Sequence, residues 1–313
     1  MTASKVSLLC VLPEAWRDYY LDGFRKRLPD VQLVLPQDAI PPESITYAFV
    51  LAPPPGYLAR FPRLKAIMPV GAGVEHILAD PDLPDVPVVR MVQPDMAQRM
   101  SEYIVQHVLN HMRRYREIRE AQARQAWNLF VSPTAQDTTV GILGLGTLGQ
   151  HAATYLRPLG FKVRGWSRTP KSVQGVECFV GDDSLPEFLS GCDVLVSLLP
   201  LTPETAQLID AQALKCLPRG ASLINASRGG IIKDADLIAS LDNGEVSEAT
   251  LDAFDIEPLP EDYPYWTHPR VTVTPHCASA ATVEAVADRL REVITQVERG
   301  GMPSPVVDRT TGY

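Results

Sequence analysis

The sequence predicts an α/β protein made of two doubly wound parallel-sheet domains. The chain has 313 residues, more than the roughly 250–300 at which a single hydrophobic core stops growing. Short, continuous apolar runs alternate with longer helical patterns, as in parallel strands that are covered on both faces. A glycine-rich loop near the middle of the chain follows one such run and opens a helical pattern, which is typical of a strand–turn–helix unit.

The first series of buried strands occupies the N-terminal third of the chain. We predict strands at residues 6–12, 31–35, 47–51 and 64–70, with a fifth at 86–92 that closes the unit. Prolines at positions 81, 84, 87 and 94 interrupt this region. Because proline punctuates regular structure, we expect a domain boundary near residues 93–98.

A long helix and a second strand–helix series follow. Ile104, Val108 and Met112 recur at helical spacing and predict one helix over 99–126. On its surface, Arg113 can pair with Glu117 and Arg116 with Glu120. Six parallel strands are predicted at 139–144, 162–166, 194–199, 222–225, 249–252 and 271–274, and a last helix at 281–298.

The composition excludes several classes of protein. The formal net charge is −8, and an acidic chain is a poor partner for nucleic acid or an anionic membrane surface. No apolar run approaches the roughly 18–20 residues that span a bilayer.

The five cysteines are scattered without a CxxC motif, which argues against a disulfide framework and a zinc site. We expect no metal and a reducing, cytoplasmic location.

The strongest local motif is Gly144-Leu145-Gly146-Thr147-Leu148-Gly149. The first glycine permits a tight turn, the second lets a pyrophosphate approach the backbone, and the third allows close helix–sheet packing. Amides at the following helix N-terminus can then bind phosphate. The motif predicts a dinucleotide site.

The end of the next strand predicts which dinucleotide is bound. An NAD site usually carries a carboxylate there, which accepts from the ribose 2′-hydroxyl. This chain instead has Ser167, Arg168 and Lys171 in GWSRTPK. A guanidinium with a neighbouring hydroxyl and amine suits a 2′-phosphate, so we expect NADP(H) in preference to NAD(H).

Three candidate catalytic residues each follow a predicted strand: Arg228 in NASRGG, Glu257 in LDAFDIEPLP and His276 in VTPHCASA. Ligands of open α/β sheets gather at the carboxyl ends of the strands. Arg228 can bind a substrate carboxylate and polarise a ketone. His276 can protonate the ketone oxygen as hydride arrives, and Glu257 can hold the imidazole and favour its charged form. The set predicts reduction of a 2-oxo acid.

A second small-residue loop follows the predicted strand 64–70. Val70, Gly71, Ala72 and Gly73 precede a short helical pattern. Small residues expose backbone amides, which can form a nest for a carboxylate. We expect this loop to bind substrate.

With these motifs in place, the sequence resembles the D-isomer-specific 2-hydroxyacid dehydrogenase family and, within it, the bacterial glyoxylate/hydroxypyruvate reductase A group. The resemblance rests on VGAGVEHIL, GILGLGTLGQ, GWSRTPK, LLPLTPETAQLI, LINASRGGIIKDADLIASLDNGE, LDAFDIEPLP and HPRVTVTPHCAS. It implies a flavodoxin-like substrate domain from residues 1–98 plus 281–313, a Rossmann dinucleotide domain from 99–280, and a cleft between them.

The resemblance also implies roles for individual residues. Arg228, Glu257 and His276 would carry catalysis, and the amides of Val70–Gly73 would bind the substrate carboxylate. Leu199, Pro200, Ala226 and Asp252 would line the nicotinamide side of the cofactor. Family members are usually dimers joined through the dinucleotide domain. The Asp that this family commonly carries after the second strand is replaced here by Ser167-Arg168.

Three functions remain open from the sequence. The first is NADPH-dependent reduction of glyoxylate to glycolate and of hydroxypyruvate to D-glycerate. The second is reduction of a bulkier 2-keto acid such as phenylpyruvate, since the first 60 residues match the family weakly and help to shape the substrate pocket. The third is a nucleotide-sensing module that binds protein partners and has no turnover.

Overall fold

The computed structural model describes residues 6–71, 73–92 and 95–309. Within them, the strands are β1 (Ser7–Val11), β2 (Gln32–Val34), β3 (Tyr47–Val50), β4 (Ala66–Pro69), β5 (Thr139–Leu143), β6 (Lys162–Ser167), β7 (Glu177–Val180), β8 (Val194–Ser197), β9 (Ala221–Asn225), β10 (Val246–Leu251) and β11 (Val271–Val273). The helices are α1 (Glu14–Arg27), α2 (Glu75–Leu78), α3 (Met96–Met112), α4 (Tyr115–Ala123), α5 (Thr147–Leu156), α6 (Leu185–Ser190), α7 (Ala211–Cys216), α8 (Asp234–Asn243) and α9 (Val283–Glu298).

The chain divides into two compact units. The first contains Met1–Asp95 and Ala281–Tyr313, and the second contains Met96–Ala280. The division lies at the start of α3, three residues before the predicted boundary at 98. The helix α9 packs within the first unit, against α1.

Alternating strand residues build two apolar layers in the first unit. Leu8 on β1 and Phe49 on β3 pack on one face with α1 and α9, while Leu9 and Ala48 pack on the other. Successive side chains of a strand point to opposite faces, so a continuous apolar run fills both layers. The sheet is parallel with the order β2-β1-β3-β4, which matches the start of the flavodoxin-like order.

The predicted fifth strand at 86–92 is wrong as a full strand. Val88 makes one parallel bridge to Ile67 on β4, and Val89 makes one antiparallel bridge to Val306. The surrounding prolines at 84 and 87 lack the N–H that a continued ladder requires. The segment occupies the place of a fifth strand with a single bridge to the sheet.

The second unit holds a seven-stranded parallel sheet in the order β11-β10-β9-β8-β5-β6-β7. Counted from β5, the first six strands in chain order have the 3-2-1-4-5-6 arrangement of dinucleotide-binding sheets. The direction of winding reverses between β5 and β8, beside the glycine-rich loop. All six predicted strands are present. The edge strand β7 was not predicted, because its four-residue sequence (ECFV) begins with a charged residue and its apolar run is very short.

The single long helix predicted over 99–126 is also wrong. It is two helices, α3 and α4, separated at Arg113 and Arg114, and Arg114 has a left-handed φ of +56°. Arg116 pairs with Glu120 at 2.5 Å as predicted, but Arg114 rather than Arg113 pairs with Glu117.

No helix in the described residues is long and apolar enough to cross a membrane.

Candidate active site

Three adjacent strands of the second unit end side by side. Leu251 at the end of β10 is in register with Asn225 at the end of β9 and with Val273 at the end of β11. The three loops that follow carry Arg228, Glu257 and His276. Parallel strands place their carboxyl ends at one edge of the sheet, so the loops bearing the three predicted residues start from one short stretch of that edge.

His276 and Glu257 form a direct pair. The Nδ1 atom of His276 lies 2.8 Å from Oε2 of Glu257, and the Phe254 amide donates to the other carboxylate oxygen at 2.9 Å. Burial alone would raise the pKa of the Glu257 carboxyl. The hydrogen bonds from His276 and Phe254, with the charges of His276 and Arg228, instead hold that pKa below its usual value. Glu257 is therefore an anion at neutral pH, and it contacts His276 through Nδ1.

The loop that carries Arg228 is fixed by its neighbours. The Asn225 side chain donates to the Arg228 carbonyl at 2.9 Å and accepts from the Ser227 hydroxyl at 2.6 Å. A Cβ on Gly229 would lie 2.2 Å from the Asp255 nitrogen, so only glycine lets this loop lie directly against the loop of Glu257. The charge of Arg228 acts on the Glu257 carboxyl as a result.

Asp252 is a buried carboxylate that follows β10. It was expected to line the nicotinamide side, and its side chain is 1% exposed. Its Oδ1 accepts from the Thr274 hydroxyl at 2.6 Å and the Cys277 amide at 2.9 Å, while Oδ2 accepts from the Ala278 amide at 2.9 Å. The carboxylate therefore binds the Thr274 side chain before His276 and two backbone amides after it.

The glycine-rich loop brings the start of α5 close to the end of β5. Gly144 has a φ of +104°, and a Cβ on Gly149 would lie 1.9 Å from the Gly144 carbonyl oxygen. The first turn of α5 thus lies against the end of β5. A Cβ on Gly146 would meet nothing within 4 Å. This open position precedes Thr147 and Leu148 at the helix N-terminus, whose first amides have no partner within the helix.

The residues predicted to select the cofactor lie after β6. The Ser167 hydroxyl is buried and donates to the Thr169 carbonyl at 2.8 Å, so it is already engaged within the loop. Arg168 lies 3.3 Å from the Glu204 carboxylate, and Lys171 is exposed. Glu204 is an acceptor for Arg168 that the sequence did not reveal.

Three further predicted cofactor residues follow β8 and β9. Leu199 and Ala226 are buried, and Pro200 is exposed with its carbonyl accepting from the Thr205 hydroxyl at 2.7 Å. The register of Leu143 with Ser197 on β8 places the loop of Leu199 next to the glycine-rich loop. These positions lie near the point between β5 and β8 at which the strand order changes direction.

The predicted substrate loop belongs to the first unit. The Val70 amide donates to the Val50 carbonyl at 2.9 Å, so this amide serves the sheet and is not available for a carboxylate. Gly71 has a φ of +86° with open space at its missing Cβ, and Gly73 follows. Ala72 lies outside the described residues.

Two buried histidines on α3 face β10. His111 has Nε2 at 3.1 Å from the Thr250 hydroxyl and Nδ1 at 2.9 Å from Glu248, without the alignment of a hydrogen bond. Burial, with a smaller effect of His111, lowers the pKa of His107 to about 4. No group of three metal-ligating side chains occurs among the residues that the structure describes.

Several residues around the site had no recognisable signal in the sequence. The Tyr103 hydroxyl on α3 lies 2.8 Å from that of Thr274, 171 residues further along the chain. Tyr263 and Tyr265 both donate to Asp234 at the start of α8. These contacts join distant segments, so only the folded chain brings the partners together.

The fold and this arrangement of residues define a dinucleotide-dependent dehydrogenase. Residues 105–278 match the family described as D-isomer specific 2-hydroxyacid dehydrogenase, NAD binding domain. The chain belongs to that family.

Individual relatives cover almost the whole chain. Glyoxylate/hydroxypyruvate reductase A of Serratia proteamaculans (strain 568) is 42% identical over 94% of this chain and 96% of its own. A D-isomer specific 2-hydroxyacid dehydrogenase from Xanthobacter autotrophicus Py2, solved with NADPH and MES, is 41% identical, with a TM-score of 0.90 over 99% of this chain and 100% of its own. An NADPH-dependent glyoxylate/hydroxypyruvate reductase from Sinorhizobium meliloti, solved with NADP and sulfate, is 36% identical, with a TM-score of 0.92 and the same coverage.

The glycine loop generates a test with its own control. Gly149→Ala forces a methyl group into the Gly144 carbonyl, and we expect the melting temperature to fall by about 5 °C. Gly146→Ala adds a methyl group in open space and should change that temperature by less than about 1 °C, while weakening dinucleotide binding measured by fluorescence titration. Equal losses of stability in the two variants would contradict this description of the loop.

Proposed function

We propose that the protein reduces small 2-oxo acids with NADPH, glyoxylate to glycolate and hydroxypyruvate to D-glycerate. The observation that carries the proposal is the His276–Glu257 pair, 2.8 Å apart, on loops that follow strands in register with the Arg228 strand. The named activities of the Serratia and Sinorhizobium relatives support the choice of substrates.

The side chains divide the chemistry between them. NADPH, when bound, supplies the hydride for the carbonyl carbon. The Nε2–H of His276 donates its proton to the carbonyl oxygen, whose C=O π electrons become the new O–H bond. The imidazole is left neutral and keeps its Nδ1–H directed to Glu257, whose charge stabilises the imidazolium before the transfer. Arg228 pairs with the substrate carboxylate and polarises the carbonyl.

The chain offers a fitting set of groups for NADPH. The helix N-terminus at Thr147 and the open position at Gly146 suit the pyrophosphate. Arg168, with Lys171 nearby, suits the 2′-phosphate, and no carboxylate replaces them at the end of β6. NADPH and NADP in the Xanthobacter and Sinorhizobium structures agree with this assignment.

Backbone amides complete the substrate contacts in this proposal. Since the Val70 amide binds the Val50 carbonyl, the amides of Gly71 and Gly73 are the better candidates for the carboxylate of the 2-oxo acid. The positive φ of Gly71 is of the kind that turns successive amides toward one point.

We also infer a homodimer formed through the dinucleotide unit. After α4 the chain runs without regular structure, and Trp127, Leu129 and Val131 are 98%, 92% and 91% exposed. Exposed apolar side chains in one short segment mark an interaction surface. A second copy of this chain is the partner that the resemblance favours.

The five cysteines support a location in the cytoplasm. All of them are free thiols, and Cys10 and Cys192 are buried in the two cores. Free thiols persist in a reducing compartment.

The catalytic pair is tested by pH profiles. His276→Ala should lower kcat for glyoxylate by about 10²–10⁴-fold and leave the Kd for NADPH unchanged. In the wild type, Glu257 stays ionised because its pKa is held below the usual value. On the acid side, wild-type activity should therefore fall only when the pH drops below the usual carboxyl range and Glu257 takes up a proton. Glu257→Gln has no group to titrate there, so its kcat should be lower at neutral pH and should lack that acid-side loss. Near-wild-type turnover by His276→Ala, or an unmoved profile for Glu257→Gln, would refute these roles.

The cofactor assignment is tested by binding. Arg168→Ala should weaken NADPH binding about tenfold or more and leave NADH binding unchanged, because only NADPH carries the 2′-phosphate. Glu204→Gln removes the carboxylate that competes for Arg168 and should strengthen NADPH binding a few-fold. Titration of nicotinamide fluorescence gives each Kd. Equal loss of both cofactors in Arg168→Ala would contradict the assignment.

The dimer is tested by sedimentation velocity. The double variant Trp127→Ser with Leu129→Ser should sediment as a monomer at concentrations where the wild type is a dimer, since it loses exposed apolar contact area. Met302→Ser, at a residue that is 71% exposed in the first unit, is the matched control and should remain dimeric. A monomeric wild type would contradict the inference.

A further inference from the structure

His276 has a backbone conformation that its own residue type disfavours. Its φ is +51°, in the left-handed region, which is unfavourable for a residue that carries a Cβ. Such a conformation persists only where the surrounding structure imposes it. The His276 amide donates to the Thr274 carbonyl at 3.0 Å, which closes a tight turn but does not fix the turn to the rest of the unit.

The turn is fixed by one buried carboxylate. Asp252 accepts from the Thr274 hydroxyl before His276 and from the Cys277 and Ala278 amides after it. Three donors from one five-residue segment therefore converge on a single side chain at the end of β10. Because this carboxylate is buried, losing a donor would leave charge without a partner in a poorly solvated place.

The direction of the hydrogen bonds shows that Tyr103 is the first donor in the series that ends at Asp252. The Thr274 hydroxyl uses its only hydrogen for Asp252, so it can only accept from the Tyr103 hydroxyl, which lies 2.8 Å away. Burial raises the pKa of the Tyr103 phenol well above its usual value, which keeps the phenol protonated as the donor. The Tyr103 ring lies on the His107 ring, with centroids 4.3 Å apart, and this contact sets its orientation.

We propose that Tyr103 and Thr274 are positioning residues for His276. Through the series Tyr103 to Thr274 to Asp252, helix α3 holds the left-handed turn that places the His276 imidazole toward Glu257. Neither residue touches the substrate in this role. The inference rests on the proposed function, in which His276 transfers the proton.

Removing the Thr274 hydroxyl is the direct test. Thr274→Val keeps the shape and loses both hydrogen bonds, whereas Thr274→Ser keeps the hydroxyl. We expect Thr274→Val and Tyr103→Phe each to lower kcat for glyoxylate about tenfold, with kcat normalised to the concentration of NADPH-binding sites. Small displacements of a catalytic group lower the rate by this factor or more. The Kd for NADPH should be unchanged, and Thr274→Ser should retain wild-type kcat.

Tyr47→Phe is the matched control for Tyr103→Phe. Tyr47 is fully buried in the first unit, and its hydroxyl donates to Glu298 at 2.6 Å. The control loses one buried hydrogen bond and should lower the melting temperature without lowering kcat. The positioning role is refuted if Tyr103→Phe lowers the melting temperature without lowering kcat. It is also refuted if Thr274→Val has the same kcat as Thr274→Ser.

Hydrogen exchange separates a failure of this inference from a failure of the proposed function. Amide exchange in a peptide covering residues 274–280 should be faster in Thr274→Val than in the wild type and Thr274→Ser, whether or not the enzyme turns over. Unchanged exchange would refute the network. Faster exchange in a protein that reduces no 2-oxo acid would support the network and refute the proposed function.

Discussion

The in-register ends of β9, β10 and β11 are the constraint on which the site depends. Leu251 lies between Asn225 and Val273 in the sheet, so the three loops that follow must share one edge. Close contact of Gly229 with the backbone at Phe254 and Asp255 then joins the first two loops. The Asp252 carboxylate joins the second loop to the third. Arg228, Glu257 and His276 owe their arrangement to these backbone contacts more than to contacts among themselves.

Local charge, rather than the net charge of the chain, determines what the site can bind. The chain carries a formal charge of −8, yet the proposed ligands are anions. Arg228, Arg168 and the helix N-terminus at Thr147 supply positive potential at the carboxyl edge of the sheet. Glu257 and Glu204 lie beside two of these groups. In the proposed mechanism the first carboxylate stabilises the proton donor, and the second gives Arg168 a partner that a 2′-phosphate would have to displace.

Much of this arrangement could be predicted from the sequence because it is encoded locally. The glycine loop, six strands of the second sheet and the three catalytic candidates each have a short motif or an apolar run. The break at Arg114 could not be predicted, because the helical spacing of apolar residues continues across it. The edge strand β7 was missed because its four residues are only partly buried and its apolar run is too short to give a strand signal. The Tyr103–Thr274 contact spans 171 residues and has no local pattern.

The most direct measurement is the loss of nicotinamide absorbance by the purified protein with NADPH or NADH and glyoxylate, hydroxypyruvate, pyruvate or phenylpyruvate. We predict rapid turnover of glyoxylate and hydroxypyruvate with NADPH and much slower turnover with NADH. Preference for phenylpyruvate would contradict the substrate assignment. Tight NADPH binding without turnover of any of the four acids would contradict the enzymatic role and favour a nucleotide sensor.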